Sequence, residues 1–507
     1  MYQQLLLAAA IMTGAEAAYG RTFSGSAAYP QTQDEFNPLK YTGTLGPYTQ
    51  RSGVGISTDA PAGCKVEQVV LFARHGAHYP TSDAIDQQKD VLKKITKDAP
   101  KSGFSGSLSF LNNYEYFLSE PGYANLEIPS GPYSGLAGSY QFGAEFAGKY
   151  GNLWDSETLP IFSDNAVSGL ESARAFGQGL LAFNYSTSAA VNTYTLDACS
   201  SGKLTKCSIK TNTTNGLPEN NLRYPAFEVA ALRLSKENRL NLTADDVFDL
   251  LSLASSEVAA KGSSPWVDVF TTDEWIAFEY AMDAFTDCYY GSQSPRALAL
   301  GAVFANATAE LLKNGPEQLP LALVFGQGSE LTGLLAALGL ATPSERLDPK
   351  KISFSNFRVS DVAPMGARFV IERLNCQAPG LSENTDLITS LNCTSPMYLN
   401  GTLNNATYPN NTNTQSGSSN STQSGDGTFV RFILNDAVIP WHECYDGPGF
   451  TCALDNFLDI ASDKVQGAAF KKVCGADPTA LSIFNDYSSA TTLNTDTQPV
   501  PYQGQQN

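Results

Sequence analysis

The strongest restriction on the fold comes from a short apolar segment that runs directly into a pair of histidines. Residues 65–72 (KVEQVVLF) are rich in β-branched and aromatic side chains, and Arg74, His75 and His78 follow shortly after them. Such a run is typical of a buried strand, and α/β proteins place ligand sites at the carboxyl ends of their strands. The sequence therefore predicts a strand that delivers a functional loop.

The order of strand-like and helix-like segments predicts the domain arrangement. Apolar residues recur at helical spacing between about 135 and 315, where Thr243 is a predicted helix N-cap. We therefore expect an α/β domain, formed by residues 18–134 and 316–490, that is interrupted by a mainly helical domain at 135–315. Later strand-like segments lie at 321–325, 369–374 and 429–434.

The N-terminus has the features of a secretory signal peptide. An apolar run at 5–12 precedes Ala15-Glu16-Ala17, a small-x-small cleavage site, which predicts removal of residues 1–17. The run is too short to span a bilayer. We therefore expect a secreted protein, located outside the cell or in the cell wall.

The cysteines and the glycosylation sequons agree with export. The nine cysteines are scattered, without the spacing of zinc sites, which indicates disulfides in an exported chain and leaves one odd thiol. Residues 379–428 are rich in Asn, Ser, Thr and Gly, which predicts a polar, glycosylated insertion without a core. Sequons that predict N-glycosylation begin at Asn184, Asn212, Asn241, Asn306, Asn392, Asn400, Asn405, Asn410 and Asn420.

The net charge of −18 restricts the partners. A strongly acidic chain repels nucleic acids and anionic membranes, so neither is expected, and a small organic molecule is the expected kind of ligand. No cofactor and no metal site are predicted, because the chain has only three histidines and no carboxylate cluster beside them. The third histidine, His442, is predicted to be structural or exposed. The sequence indicates no particular oligomeric state.

The segment around the two histidines resembles the signature of a known family. It reads R-H-G-A-H-Y-P, and the histidine acid phosphatases, in their fungal acid phosphatase and phytase branch, have R-H-G-x-R-x-P. The resemblance implies the phosphoglycerate-mutase-like α/β fold with an inserted helical domain. Other stretches that resemble the family lie at 64–76, 130–146, 171–179, 270–280, 335–340, 363–378 and 446–454.

The resemblance implies a phosphohistidine mechanism, of which two residues are retained. His75 occupies the position of the nucleophile, and Arg74 that of the first arginine that holds phosphate. Phosphoryl transfer needs an in-line nucleophile, positive donors on the equatorial oxygens and an acid for the leaving group. His75 and Arg74 supply only the first of these needs and part of the second.

The other family positions are replaced. His78 stands for the second arginine of the motif, and Ser168 for an arginine before the helix that follows. The second phosphate-binding histidine has become Gln327, and the acid has become Gly328. Glu330 is a candidate substitute acid, although a first-turn acid that stabilises its own helix is the simpler interpretation. His78 is a candidate donor to phosphate when it is protonated.

Three functions are compatible with this pattern. The first is a secreted pseudophosphatase that kept the fold and lost the reaction. The second is an enzyme of another class that uses the same cleft on a small metabolite. The third is a weak acid phosphatase that acts through a phosphohistidine. The fold alone does not choose among them.

The disulfide pairs are predicted partly from the family. The family pattern implies two long-range bonds, the other two pairs close short loops, and Cys393 is then the odd thiol. The predicted pairs are Cys64–Cys376, Cys288–Cys474, Cys199–Cys207 and Cys444–Cys452.

Overall fold

A computed structural model describes residues 36–118, 121–155, 158–194, 224–317, 319–377, 427–445 and 447–475. Several predicted features lie outside these residues. They are the leader 1–17, the Cys199–Cys207 pair, Cys393 and nearly all of the insertion at 379–428. So do the sequons at Asn212, Asn392, Asn400, Asn405, Asn410 and Asn420. The sequon residues Asn184, Asn241 and Asn306 are all exposed.

A mixed sheet forms the centre of the α/β domain. Its strands are β1 Cys64–Arg74, β2 Leu159–Asp164, β3 Ala189–Tyr194, β4 Leu321–Gly326, β5 Arg368–Cys376, β6 Gly427–Leu434, β7 Ala437–Val438 and β8 Cys452–Ala453. Their order is β3-β2-β4-β1-β5-β6-β7, and β8 pairs with β6. The first four strands in this order are parallel, whereas β5 and β6 run antiparallel to their neighbours.

Helices cover the sheet and form a second, mainly helical region. They are α1 Ser82–Lys97, α2 Gly135–Tyr150, α3 Val167–Leu181, α4 Tyr185–Ser188, α5 Pro225–Asn238, α6 Ala244–Lys261, α7 Thr272–Tyr290, α8 Pro295–Asn314, α9 Gly328–Leu338, α10 Val359–Val362, α11 Leu454–Gly467 and α12 Phe470–Cys474. Thr243 caps α6, as predicted, and its hydroxyl accepts a hydrogen bond from the Asp246 amide. No helix in the described part of the chain is long and apolar enough to cross a membrane.

The range 135–315, predicted to form a mainly helical domain, contains strands as well as helices. Strands β2 and β3 lie inside the range 135–315, and both join the central sheet, so the chain up to Tyr194 belongs to the α/β part. The β2 segment LPIFSD is short and contains a proline, which gives a weak local strand signal. Pairing with its neighbours makes it a strand. The mainly helical region comprises α5 to α8.

Two predicted disulfides are formed in the described part of the chain. Cys64 and Cys376 face each other as register partners of β1 and β5, and their bond joins the two strands. Cys444–Cys452 closes the short loop before β8. Cys288 and Cys474 are each disulfide-bonded as well, which agrees with the predicted pair. Cys376 is also the register partner of Gly427, so the polar insertion leaves and re-enters the sheet at adjacent strand ends.

Candidate active site

The carboxyl ends of the parallel strands bring the site together. Arg74 at the end of β1 is the register partner of Gly326 at the end of β4, and Asp164 at the end of β2 is the partner of Tyr194 at the end of β3. The His75 amide donates to Gly326 O at 3.1 Å, which continues the pairing past the strand. The strand predicted at 65–72 is therefore observed, and the loop with His75 and His78 follows directly at its carboxyl end.

His75 is buried, with 3% of its surface exposed. Its Nδ1 lies 3.0 Å from Gly76 O, and its Nε2 lies 3.2 Å from Gln327 Oε1. Burial, together with the charges of His78 and Arg74, holds the pKa of His75 well below its usual range. Burial therefore favours the neutral imidazole, which has a single N–H. Nδ1 donates that hydrogen to Gly76 O, and the unprotonated Nε2 faces Gln327 Oε1.

Gln327 connects His75 to a carboxyl group that the sequence did not reveal. The Gln327 side-chain amide donates from Nε2 to Asp164 Oδ2 at 2.6 Å. Asp164 is 8% exposed, and burial raises its pKa above the ordinary value. In the sequence, only its position at the end of the strand β2 could have indicated a role for Asp164, and the sequence analysis did not predict that strand.

Arg74 lies beside His75, and one nitrogen of its guanidinium is held by backbone carbonyls of the protein. Nη1 donates to Thr44 O at 2.8 Å and to Ala363 O at 2.7 Å, whereas Nε has no hydrogen-bond partner among the described residues. Burial lowers the pKa of Arg74 to about 10, so the group stays charged. Gly328 packs against it, because a Cβ at that position would lie 3.0 Å from Arg74 Nε.

His78 packs edge-to-face on His75, with their ring centroids 4.9 Å apart. Its Nδ1 lies 2.7 Å from Tyr79 O. Burial, followed by the charge of Arg74, lowers the pKa of His78 to about 4. Protonated His78 is therefore scarce above that pH, which limits its predicted role as a donor to phosphate.

Glu330 caps its own helix. Its Oε2 accepts hydrogen bonds from the backbone amide of Gln327 and from the Tyr194 hydroxyl, both at 3.0 Å. Burial raises the pKa of Glu330 to about 7. The contacts match the interpretation of a first-turn acid at the start of α9. Ser168, the remaining replaced position, lies half-buried in the first turn of α3.

A second carboxyl group lies behind the histidine loop and was also missed from the sequence. Glu127 Oε1 accepts from the Gly76 amide at 3.0 Å and from the hydroxyl of Ser172. Ser172 Oγ accepts from the same amide at 2.8 Å. Glu127 is 2% exposed, and burial raises its pKa to about 8. These contacts fix the loop that carries His75.

The raised pKa of Glu127 predicts that the fold is more stable in acid. The folded protein holds this proton up to about pH 8, whereas the unfolded chain releases it near the ordinary pKa of 4.5. The free energy of unfolding should therefore fall between those pH values, by on the order of 3 kcal/mol from this group. Chemical denaturation at pH 5 and pH 8 measures the difference.

The matched pair of variants is Glu127→Gln and Glu237→Gln. The first removes the titrating group from a buried site and should flatten the pH dependence, whereas Glu237 is exposed and its replacement should leave the dependence unchanged. An equally steep fall of stability in Glu127→Gln would contradict the assignment.

The third histidine lies away from this site. His442 is exposed over 71% of its side chain, and its Nε2 lies 3.4 Å from Glu443 Oε1. The described residues contain no group of three or more His, Cys, Asp or Glu side chains that could hold a metal ion.

Comparison with known proteins decides the family. The model of the histidine phosphatase superfamily, branch 2, matches residues 65–392. This chain belongs to that family. Phytase PHO112 of Candida albicans is 32% identical over 474 residues, covering 90% of this chain and 92% of the relative. The repressible acid phosphatase of Saccharomyces cerevisiae is 28% identical over 482 residues, covering 90% and 91%.

The fold agrees with that of a solved phytase. The crystal structure of the phytase from D. castellii superimposes with a TM-score of 0.74 at 26% identity, covering 92% of this chain and 94% of that chain. The predicted α/β fold class is confirmed. In the present chain, His78 and Gln327 lie against His75, and Gly328 lies against Arg74.

Proposed function

We propose that this protein is a pseudophosphatase of the family, which keeps the fold and the cleft without hydrolysing phosphomonoesters at a normal rate. The position of Gln327, whose Oε1 lies 3.2 Å from His75 Nε2, carries the proposal. Because Nδ1 is engaged by Gly76 O, Nε2 is the nitrogen left for attack on phosphorus. Gln327 Oε1 lies beside this nitrogen and obstructs the approach of a phosphoryl group, and the bond from Gln327 Nε2 to Asp164 Oδ2 holds the side chain there.

The charges around His75 support the same conclusion. A phosphate dianion needs several positive donors, and Arg74 directs Nη1 to two backbone carbonyls. His78 is neutral above a pH of about 4. Loss of an acid costs about 10²–10⁴ in rate, and each lost donor costs on the order of 10²–10³ by analogy with oxyanion holes. A neutral or singly charged organic molecule suits this cleft better than phosphate.

An assay with an aryl phosphate across pH 2–8 tests the proposal. An aryl leaving group needs little protonation, so it is the most forgiving substrate for a site without its acid. We expect turnover at least about a thousandfold below that of an intact relative purified in parallel, at every pH. Turnover close to that of the intact relative would contradict the proposal. Activity that rises only below about pH 4 and is lost in His78→Ala would favour the weak-phosphatase alternative.

We also propose that the protein is exported and glycosylated. The predicted leader at 1–17, the scattered cysteines and the three exposed sequon residues in the described part of the chain support this. The acid-favouring pKa shifts of Glu127 and Glu330 suit an acidic compartment. Secretion of the full chain, with a mass shift on glycosidase treatment, is the corresponding measurement.

A further inference from the structure

Two distant segments of the chain supply the carbonyls that hold Arg74. Thr44 lies in the short turn Gly43–Leu45, near the start of the described chain, and Ala363 ends α10. Each carbonyl accepts a hydrogen bond from Arg74 Nη1. The position of this guanidinium therefore depends on how the two segments are fixed relative to each other.

One buried carboxylate connects the two segments. Glu279 in α7 is 2% exposed. Its Oε2 accepts from the Gly43 amide at 2.7 Å, and its Oε1 accepts from the Ser360 amide at 2.9 Å. Ser360 Oγ also donates to Lys40 O at 2.6 Å, directly between the segments. Each segment thus donates one backbone amide hydrogen bond to Glu279, and a nearby backbone carbonyl of the same segment accepts a hydrogen bond from Arg74.

The close packing around Glu279 leaves little freedom to the turn. Gly43 has φ +59°, a region that favours glycine, and a Cβ there would lie 2.6 Å from Met282 Cβ. One turn along α7, Asp283 Oδ1 accepts from the Val359 amide at 2.6 Å and holds the start of α10. The turn and α10 therefore both rest on the same face of α7.

We propose that Glu279 is a positioning residue for Arg74, acting through the backbone of the turn at 43–45 and of α10. It does not touch the cleft groups that surround His75, and its effect passes through the carbonyls of Thr44 and Ala363. The role concerns the geometry of the cationic group in the cleft and is independent of whether the protein turns over phosphate.

Glu279→Gln tests this role, because an amide offers only one acceptor atom and its NH₂ opposes the second backbone amide. We expect phenylglyoxal to modify Arg74 about tenfold faster than in the wild type. Loss of one buried hydrogen bond shifts the equilibrium between the closed and the open arrangement of this region by about that factor. Peptide mass mapping gives the rate for each arginine. Hydrogen exchange should also accelerate at the Gly43 or the Ser360 amide.

The matched control is Glu257→Gln. Glu257 is an equally buried carboxylate on α6 that accepts from Tyr114, Ser264 and Lys261 side chains. Its replacement should destabilise the protein without exposing Arg74. Glu279→Asp, which keeps both acceptor oxygens, should restore part of the protection.

The proposal is overturned if a folded Glu279→Gln protein protects Arg74 as the wild type does, or if Glu257→Gln exposes it equally. If Glu279→Gln does not fold, Gly43→Ala provides the second test. It displaces the turn and leaves Glu279 in place, and it should also accelerate modification of Arg74. An unchanged rate in a folded Gly43→Ala protein would count against the proposal in the same way.

Discussion

A quadruple variant with His78→Arg, Ser168→Arg, Gln327→His and Gly328→Asp should hydrolyse an aryl phosphate at least about a thousandfold faster than the wild-type protein. The changes return the two arginines, the second histidine and the acid that the family resemblance implies. His75 already lies at the end of its strand, next to Arg74. Initial rates at acid pH, compared at equal folded protein, measure the gain.

The single variants should fail. Gly328→Asp places a carboxyl group against Arg74, because the new Cβ would lie 3.0 Å from Nε, and an acid has little effect while the phosphoryl group is poorly held. Gln327→His breaks the bond to Asp164 without adding the missing arginines. Groups that act as a unit are strongly non-additive, so most of the gain should appear only in the combination.

His75→Ala in the quadruple variant is the control. It removes the nucleophile and should abolish the gain, since no phosphohistidine can form. A well-folded quadruple variant without activity would show that the cleft itself has been reshaped. That result would favour the alternative of a different chemistry on a small metabolite.

Arg431→Met should lower the free energy of unfolding by about 3–5 kcal/mol. Arg431 and Glu372 are register partners of β6 and β5, with 1% and 0% of their side chains exposed. Arg431 Nε donates to Glu372 Oε2 at 2.6 Å, and Nη1 donates to Asp59 O at 2.6 Å. The variant leaves a buried carboxylate without its guanidinium and releases the segment before β1.

Two further variants separate the causes. Arg431→Met combined with Glu372→Met removes both charges, and should be more stable than Arg431→Met alone. Arg373→Met breaks the neighbouring pair with Glu67, which is more exposed, and should cost about 0–1 kcal/mol. Denaturant unfolding gives all three values. Equal losses for Arg431→Met and Arg373→Met would show that burial of the pair is not what matters.

The sequence by itself was sufficient for the parts of the protein that are contiguous in the chain. The apolar run at 65–72 and the residues after it predicted β1 and its loop, because a strand and the turn that follows it are local features. The positions that the family resemblance implies to be replaced, among them His78 and Gln327, were assigned in the same way, since each belongs to a short motif. The strand before α9 and the N-cap Thr243 were also predicted correctly.

Only the tertiary structure revealed the carboxyl groups around the site. Asp164 meets Gln327 because β2 pairs with β4, although the two residues are 163 positions apart. Glu127 and Ser172 reach Gly76 from separate segments, and Glu279 reaches Gly43 across 236 positions. None of these contacts has a local pattern, because the pairing of strands and the packing of α7 decide them.

The same reason explains why β2 was not predicted from the sequence. A six-residue strand such as β2 gains its stability from neighbouring strands rather than from its own propensity. The protonation states follow the same rule, since His75, His78 and Glu127 shift their pKa values through burial. Burial is a property of the packed chain. The sequence thus identified the candidate site residues, and the tertiary structure decided what those residues contact.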